Sequence, residues 1–130
     1  MPIVVDTSAV IAVIIDEPEK RRIISVTRGN TLISPGSMPW EVGNAFSAMF
    51  KQKRITIEAA KKGFSIFQSI PLQFITPDFV YALEVAEKAN IYAYDAYFLD
   101  CAIRHRAPLL TLDNKLRIAA TSLDIDVLEV

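Results

Sequence analysis

The sequence predicts an α/β sandwich around a mostly parallel sheet. Three observations carry that reading. Short apolar, β-branched runs alternate with helical segments along the whole chain. The first run, Ile3–Val5, lacks polar alternation, as a strand buried on both faces does. No repeat, low-complexity tract or Pro/Gly linker interrupts the pattern, so residues 1–130 read as a single domain.

Strand runs are expected at Ile3–Val5, Thr31–Ser34, Leu72–Ile75, Leu109–Leu112 and Asp126–Leu128. Helices fill the intervals. The first spans Ser8 to about Ile15. The second opens near Pro18, whose fixed φ suits a first helical turn, and stops before Gly29. Met38 to about Lys53 forms the third. Thr56 caps a fourth, which runs to Ser69 and is stopped by Pro71. Asp78 caps a fifth that ends near Asn90, and Tyr94–His105 and Asn114–Thr121 complete the set. Sheets of this kind bind ligands in a crevice outside the strands' carboxyl ends.

Composition narrows the function. With 52% hydrophobic residues and a mean hydropathy of +0.29, the chain can bury a sizeable core. Charges interrupt every apolar run before the roughly 18 residues a membrane span needs. The first strand begins at residue 3, leaving no room for a signal peptide, so a cytoplasmic protein is expected. Cys101 is the only cysteine, which excludes an internal disulfide and a cysteine-rich metal site; within "FLDCAI" it reads as a small buried hydrophobe. The net charge of −1 is too low for binding nucleic acid by bulk charge alone. Basic patches or acid-bound metal ions would have to do that work.

Four of the 15 acidic residues are unusually placed. Asp6 in "IVVDTSAV" and Asp113 in "LLTLDNKL" each follow an apolar strand and precede a helix. Taken singly, each reads as a helix N-cap. Glu41 shares a helical face with Ala45, Ala48 and Met49, and Asp95 shares one with Leu99 and Ala102. Those are core-facing stripes, where an uncompensated carboxylate is costly. Either acid could also serve its helix dipole, since each is near a helix start. Two acids at strand ends and two at helix starts can meet at one sheet edge. An oxygen-only cluster suits Mg²⁺ or Mn²⁺, and such ions assist phosphodiester hydrolysis. Asp100, about 140° around the helix from Asp95, is expected to point to solvent or pair with Arg104.

Other chemistries find little support. His105 is the single histidine, which excludes a two-histidine ribonuclease. No G-x-S-x-G, Walker A or G-x-G-x-x-G motif is present.

In order along the chain, "IVVDTSAVIA", "PWEVGNAF", "YAYDAYFLDCAI" and "LLTLDNKLRIAA" resemble a PIN domain, and most of all the VapC-type toxin ribonucleases. The resemblance spans Ile3 to about Leu128. It implies a PIN-like three-layer sandwich and an RNA endonuclease whose acidic quartet holds Mg²⁺ or Mn²⁺. By position, Asp6 and Asp95 would be direct ligands, with Glu41 and Asp113 completing the cluster. Thr7 or Ser8 would orient Asp6, Thr111 would support Asp113, and Asn44 would line the cleft. Lys115 and Arg117, about one turn beyond Asp113, would contact phosphates. The resemblance also implies a homodimer and a small antitoxin that occupies the cleft. Trp40 is not part of the family pattern and reads as a packing residue. Two other readings stay open: a PIN nuclease for RNA maturation without an antitoxin, and a non-catalytic binding module whose acids are caps.

Overall fold

The computed structural model describes residues 1–130. Its elements run β1 (Pro2–Val5), α1 (Thr7–Ile14), α2 (Lys20–Thr27), β2 (Thr31–Pro35), α3 (Met38–Lys51), α4 (Ile57–Ser69), β3 (Leu72–Ile75), α5 (Phe79–Ala89), α6 (Ala93–His105), β4 (Leu109–Leu110) and α7 (Asn114–Ser122). The four strands form one parallel sheet in the order β3-β2-β1-β4. Val4 pairs with Ile33 on one side and Leu109 on the other, and is fully buried. The α/β sandwich expected from the alternation is thus present.

Strand order decides where a site can form. The chain steps outward from β1 to β2 to β3, then returns across the sheet to place β4 on the far side of β1. That reversal leaves a crevice beyond the carboxyl ends of β1 and β4. Asp6 follows one of these strands and Thr111 the other.

Helix α6 lies on β1, β2 and β4, and α5 packs against it. Every residue from Phe98 to Ala102 is buried, so the middle of α6 has no solvent face. Elsewhere α1 packs on α2, α3 and α4. Gly63 of α4 lies so close to Phe46 of α3 that an added Cβ would meet the ring at 2.8 Å.

Helix ends follow local chemistry where it was legible. Thr56 and Asp78 cap α4 and α5 by accepting the N–H groups of Ala59 and Tyr81. Two strand expectations need correction. Residues 126–128 form no strand of their own; they make a single bridge, Val127 to Leu109. Strand β4 stops at Leu110, because the next N–H groups turn to hydroxyls: Leu112 donates to Ser8 Oγ and Asp113 to Thr111 Oγ1. Cys101 is buried as expected, and burial, with the Asp100 charge adding, pushes its thiol up to about 12. No helix is long and apolar enough to cross a membrane.

Candidate active site

Asp6 is the hub of the crevice. Its carboxylate is 4% exposed and both oxygens are engaged. Ser8 Oγ donates to Oδ1 at 2.7 Å, the Ala9 N–H donates to the same oxygen at 3.1 Å, and Thr111 Oγ1 donates to Oδ2 at 2.5 Å. Asp6 therefore caps α1 and also reaches across to the end of β4. Burial pushes its carboxyl up to about 6, although these three hydrogen bonds pull the other way and the Asp113 charge adds to the rise.

The two hydroxyls after Asp6 divide their roles. Ser8 holds Asp6, while Thr7 Oγ1 points to Glu41 Oε1 at 3.4 Å. Glu41, in the first turn of α3, also accepts from Ser37 Oγ at 2.8 Å. Ser37 carries no expectation from the sequence. Its signal was its place four residues before Glu41, on the same helical side. Burial raises the Glu41 carboxyl against these two bonds, and the charges of Asp95 and Asp6 raise it further.

Asp95 is half-buried in the first turn of α6 and makes no side-chain hydrogen bond. Burial raises it, as does the charge of Asp113, while Lys115 opposes both. The inward stripe expected for it holds, since Leu99 and Ala102 are buried. Asp113 differs from the other three: it is exposed rather than turned inward. One of its oxygens caps α7 by accepting from Lys115 and Leu116. Thr111 supports it through the backbone, accepting the Asp113 N–H while giving its proton to Asp6.

Asp6, Glu41 and Asp95 thus each feel the charge of another acid of the set, and none of the four is neutralised by an ion pair; the only salt bridges are Lys20–Asp16 and Arg104–Asp100. Unpaired carboxylates sharing a crevice form a donor set suited to a hard divalent cation. As the side chains stand, no three of them are grouped closely enough to enclose an ion.

The remaining candidates fall into place around this centre. Asn44 is exposed and, with Thr7, Trp40, Glu41, Ala45 and Tyr94, lines a cleft of about 470 Å³. Lys115 is exposed near Asp95. The Arg117 guanidinium folds back, with one N–H donating to the Thr111 carbonyl at 3.2 Å and its buried Nε unpartnered. That ties it to the backbone of Thr111, whose hydroxyl holds Asp6.

Asp100 meets one of its two expectations, and Trp40 departs from its own. Asp100 does pair with Arg104, yet it is fully buried, because the centre of α6 has no solvent side. The uninterrupted apolar neighbours in "FLDCAI" were the sequence signal. Trp40 is 76% exposed rather than packed, since α3 turns this position away from the core that Met38 and Val42 enter.

Replacing Thr111 with valine keeps the shape but removes the donor to Asp6 and the acceptor for Asp113. Loss of a hydrogen bond to a charged group is expected to cost about 2 kcal/mol at neutral pH. A lower urea midpoint would show it; an unchanged midpoint would mean this hydroxyl does not hold Asp6.

The sequence matches the PIN domain family over residues 3–121. The fold is similar to PAE2754 from Pyrobaculum aerophilum, with a TM-score of 0.73 and 22% identity over 92% of this chain and 79% of that one. It is also similar to VapBC2 from Rickettsia felis, solved bound to a DNA fragment from its promoter. There the TM-score is 0.70 and the identity 19%, over 99% of this chain and 98% of the other. No curated protein matches the chain.

Proposed function

The chain belongs to the PIN-domain family, and from that premise we propose that it is a Mg²⁺- or Mn²⁺-dependent endoribonuclease, the toxin of a VapBC-type pair. One observation carries the proposal: Asp6, Glu41 and Asp95 are half-buried or buried beside one another and beside Asp113, and none of the four makes an ion pair. Carboxylates with raised proton affinity gain most from a cation that replaces the proton.

Asp6 and Asp95 would hold the ion, with Glu41 and Asp113 as further donors. A bound ion supplies charge neutralisation and Lewis acidity toward a phosphoryl oxygen. The protein's own groups set the geometry. Thr111 and Ser8 fix both oxygens of Asp6, and Ser37 and Thr7 fix those of Glu41. Asp95, without a hydrogen-bond partner, is free to swing toward the ion. Lys115, exposed beside Asp95, would meet a phosphate of the RNA strand.

The toxin reading draws support from the end-to-end likeness to VapBC2. The antitoxin would enter the cleft beside Glu41. Val80 and Leu83, 72% and 61% exposed on α5, offer an apolar face to a second copy in a homodimer.

Calorimetric titration with Mn²⁺ tests the proposal. Wild type is expected to release heat that Asp95→Asn does not. At a concentration a hundred times Kd, the ion should also stabilise the wild-type fold by about 2.7 kcal/mol. Equal heats from the two proteins would exclude Asp95 as a ligand. Failure of wild type to cut RNA in Mn²⁺ would exclude the nuclease.

A further inference from the structure

We propose that the pocket adjoining the acidic cleft, walled by Trp40, Tyr94, Tyr97 and Phe79, receives one unpaired nucleobase of the RNA being cut. The proposal rests on the nuclease reading and adds how the enzyme grips its substrate.

The pocket has a volume of about 420 Å³ and shares Trp40 and Tyr94 with the cleft that contains Glu41. Ser37 links the two, lining the pocket while its hydroxyl donates to Glu41 of the cleft. A strand with a phosphate at the acids thus has an adjacent base within reach of the aromatic walls.

The lining suits a base and nothing ionic. No charged side chain contributes to it. Tyr97 meets Phe79 and Tyr94 edge-on, each at 5.6 Å between ring centres, which sets the three rings in a continuous wall. Trp40 forms no ring pair with them and is 76% exposed, so an indole face is left open. Unstacked bases of single-stranded RNA are held on such aromatic faces, and every base has one.

Charge makes stacking necessary. The chain carries a net −1, and the arginines nearest the crevice are committed elsewhere. Arg104 is bound to Asp100 and the Thr76 carbonyl, and Arg117 to the Thr111 carbonyl. Lys115 alone adds little phosphate affinity. The Arg104 network instead serves the pocket's lining: it holds Thr76 by its carbonyl, and Asp100 accepts the N–H of Asp78. The segment at Thr76 and Pro77, which lines the pocket, is therefore pinned.

Trp40 is the only tryptophan, so its emission reports the pocket directly. A short single-stranded oligoribonucleotide is expected to quench the fluorescence of Asp95→Asn protein, which cannot consume it. An abasic strand of equal charge should quench far less. In the otherwise wild-type enzyme, Trp40→Ala should raise KM about tenfold with kcat little changed, and Trp40→Phe should restore most of the loss.

Equal quenching by the abasic strand would overturn the proposal. So would an unchanged KM in Trp40→Ala while the wild type cuts RNA, an outcome that leaves the nuclease reading intact. Absence of cutting by wild type would instead remove the nuclease reading and this proposal with it. If Trp40→Ala halved the molar mass in light scattering without affecting KM, the pocket would be a contact between two copies of the chain.

Discussion

Asp6→Asn is expected to abolish RNA cleavage while leaving the metal-free protein more stable at pH 8 than the wild type. Asp6 cannot be replaced as a donor because it joins the two strand ends that form the crevice. Loss of at least about a thousandfold in rate is the scale seen when one member of a jointly acting set is removed. The stability gain has a separate origin. Asp6 is buried and its carboxyl is raised from 3.8 to about 6. Below pH 3.8 the carboxyl is protonated in both folded and unfolded chains and carries no penalty. As the pH rises through the folded value, the folded protein must ionise a group that water would ionise more readily. The stability associated with the protonated group is therefore lost between about pH 4 and 6. At roughly 1.4 kcal/mol for each pH unit of difference, the loss is on the order of 3 kcal/mol. Asparagine has no proton to lose, so its melting temperature in chelator should not show this fall. Glu41 and Asp95, raised in the same direction, add to the wild-type slope. Urea unfolding in chelator at pH 4 and pH 8 measures it. If the two proteins lose equal stability over that interval, the buried Asp6 carboxylate is not the source of strain. Cleavage by Asp6→Asn at the wild-type rate would remove Asp6 from the site altogether.

Arg104→Ala is expected to cause the largest loss of stability. Asp100 has no exposed side-chain surface, and Arg104 grips both its oxygens, with Nε to Oδ1 at 2.7 Å and Nη2 to Oδ2 at 3.0 Å. Without the guanidinium, the buried carboxylate retains only the Asp78 N–H, at 3.1 Å. Breaking one side of such a pair costs about 3 kcal/mol. For a domain of this length that corresponds to a fall in Tm on the order of 10 °C. Arg104→Lys should recover part of the loss, because an ammonium retains the charge but not the two-pronged geometry. A Tm within a degree or two of wild type for Arg104→Ala would show that the pair is solvated in solution. The same variant should loosen the Thr76–Asp78 segment, to which both partners are bonded. Faster amide exchange confined to that segment would show the second effect.

These two residues also mark how much was legible beforehand. Asp6 could be singled out because a carboxylate interrupts an apolar run where a strand meets a helix. The helices could be placed because Thr56 and Asp78 act within one turn, and the structure keeps both caps. The pairing of Arg104 with Asp100 follows from their spacing of four. Its depth did not, because spacing gives direction around a helix and not what stands opposite. Of the two readings, pairing with Arg104 holds, while the solvent-facing one fails because α5 packs against α6 and the Asp78 N–H at its start reaches Asp100. Trp40 failed in the opposite sense: its size suggested packing, and the turn of α3 left it outside.

The sequence by itself determined the alternation of strand and helix, the capping residues and the four acids that break the apolar pattern. These rest on interactions among residues a few positions apart, where bond geometry and periodicity suffice. Only the tertiary structure decided that the sheet order is β3-β2-β1-β4, which places the ends of β1 and β4 side by side. It also decided that Thr7 serves Glu41 while Ser8 serves Asp6, that Arg117 turns back to Thr111, and that Trp40 faces a pocket beside the acids. Those outcomes depend on contacts between residues such as Asp6 and Thr111, which lie far apart in the chain. They are set by which surfaces the whole core must cover, and no local spacing carries that information.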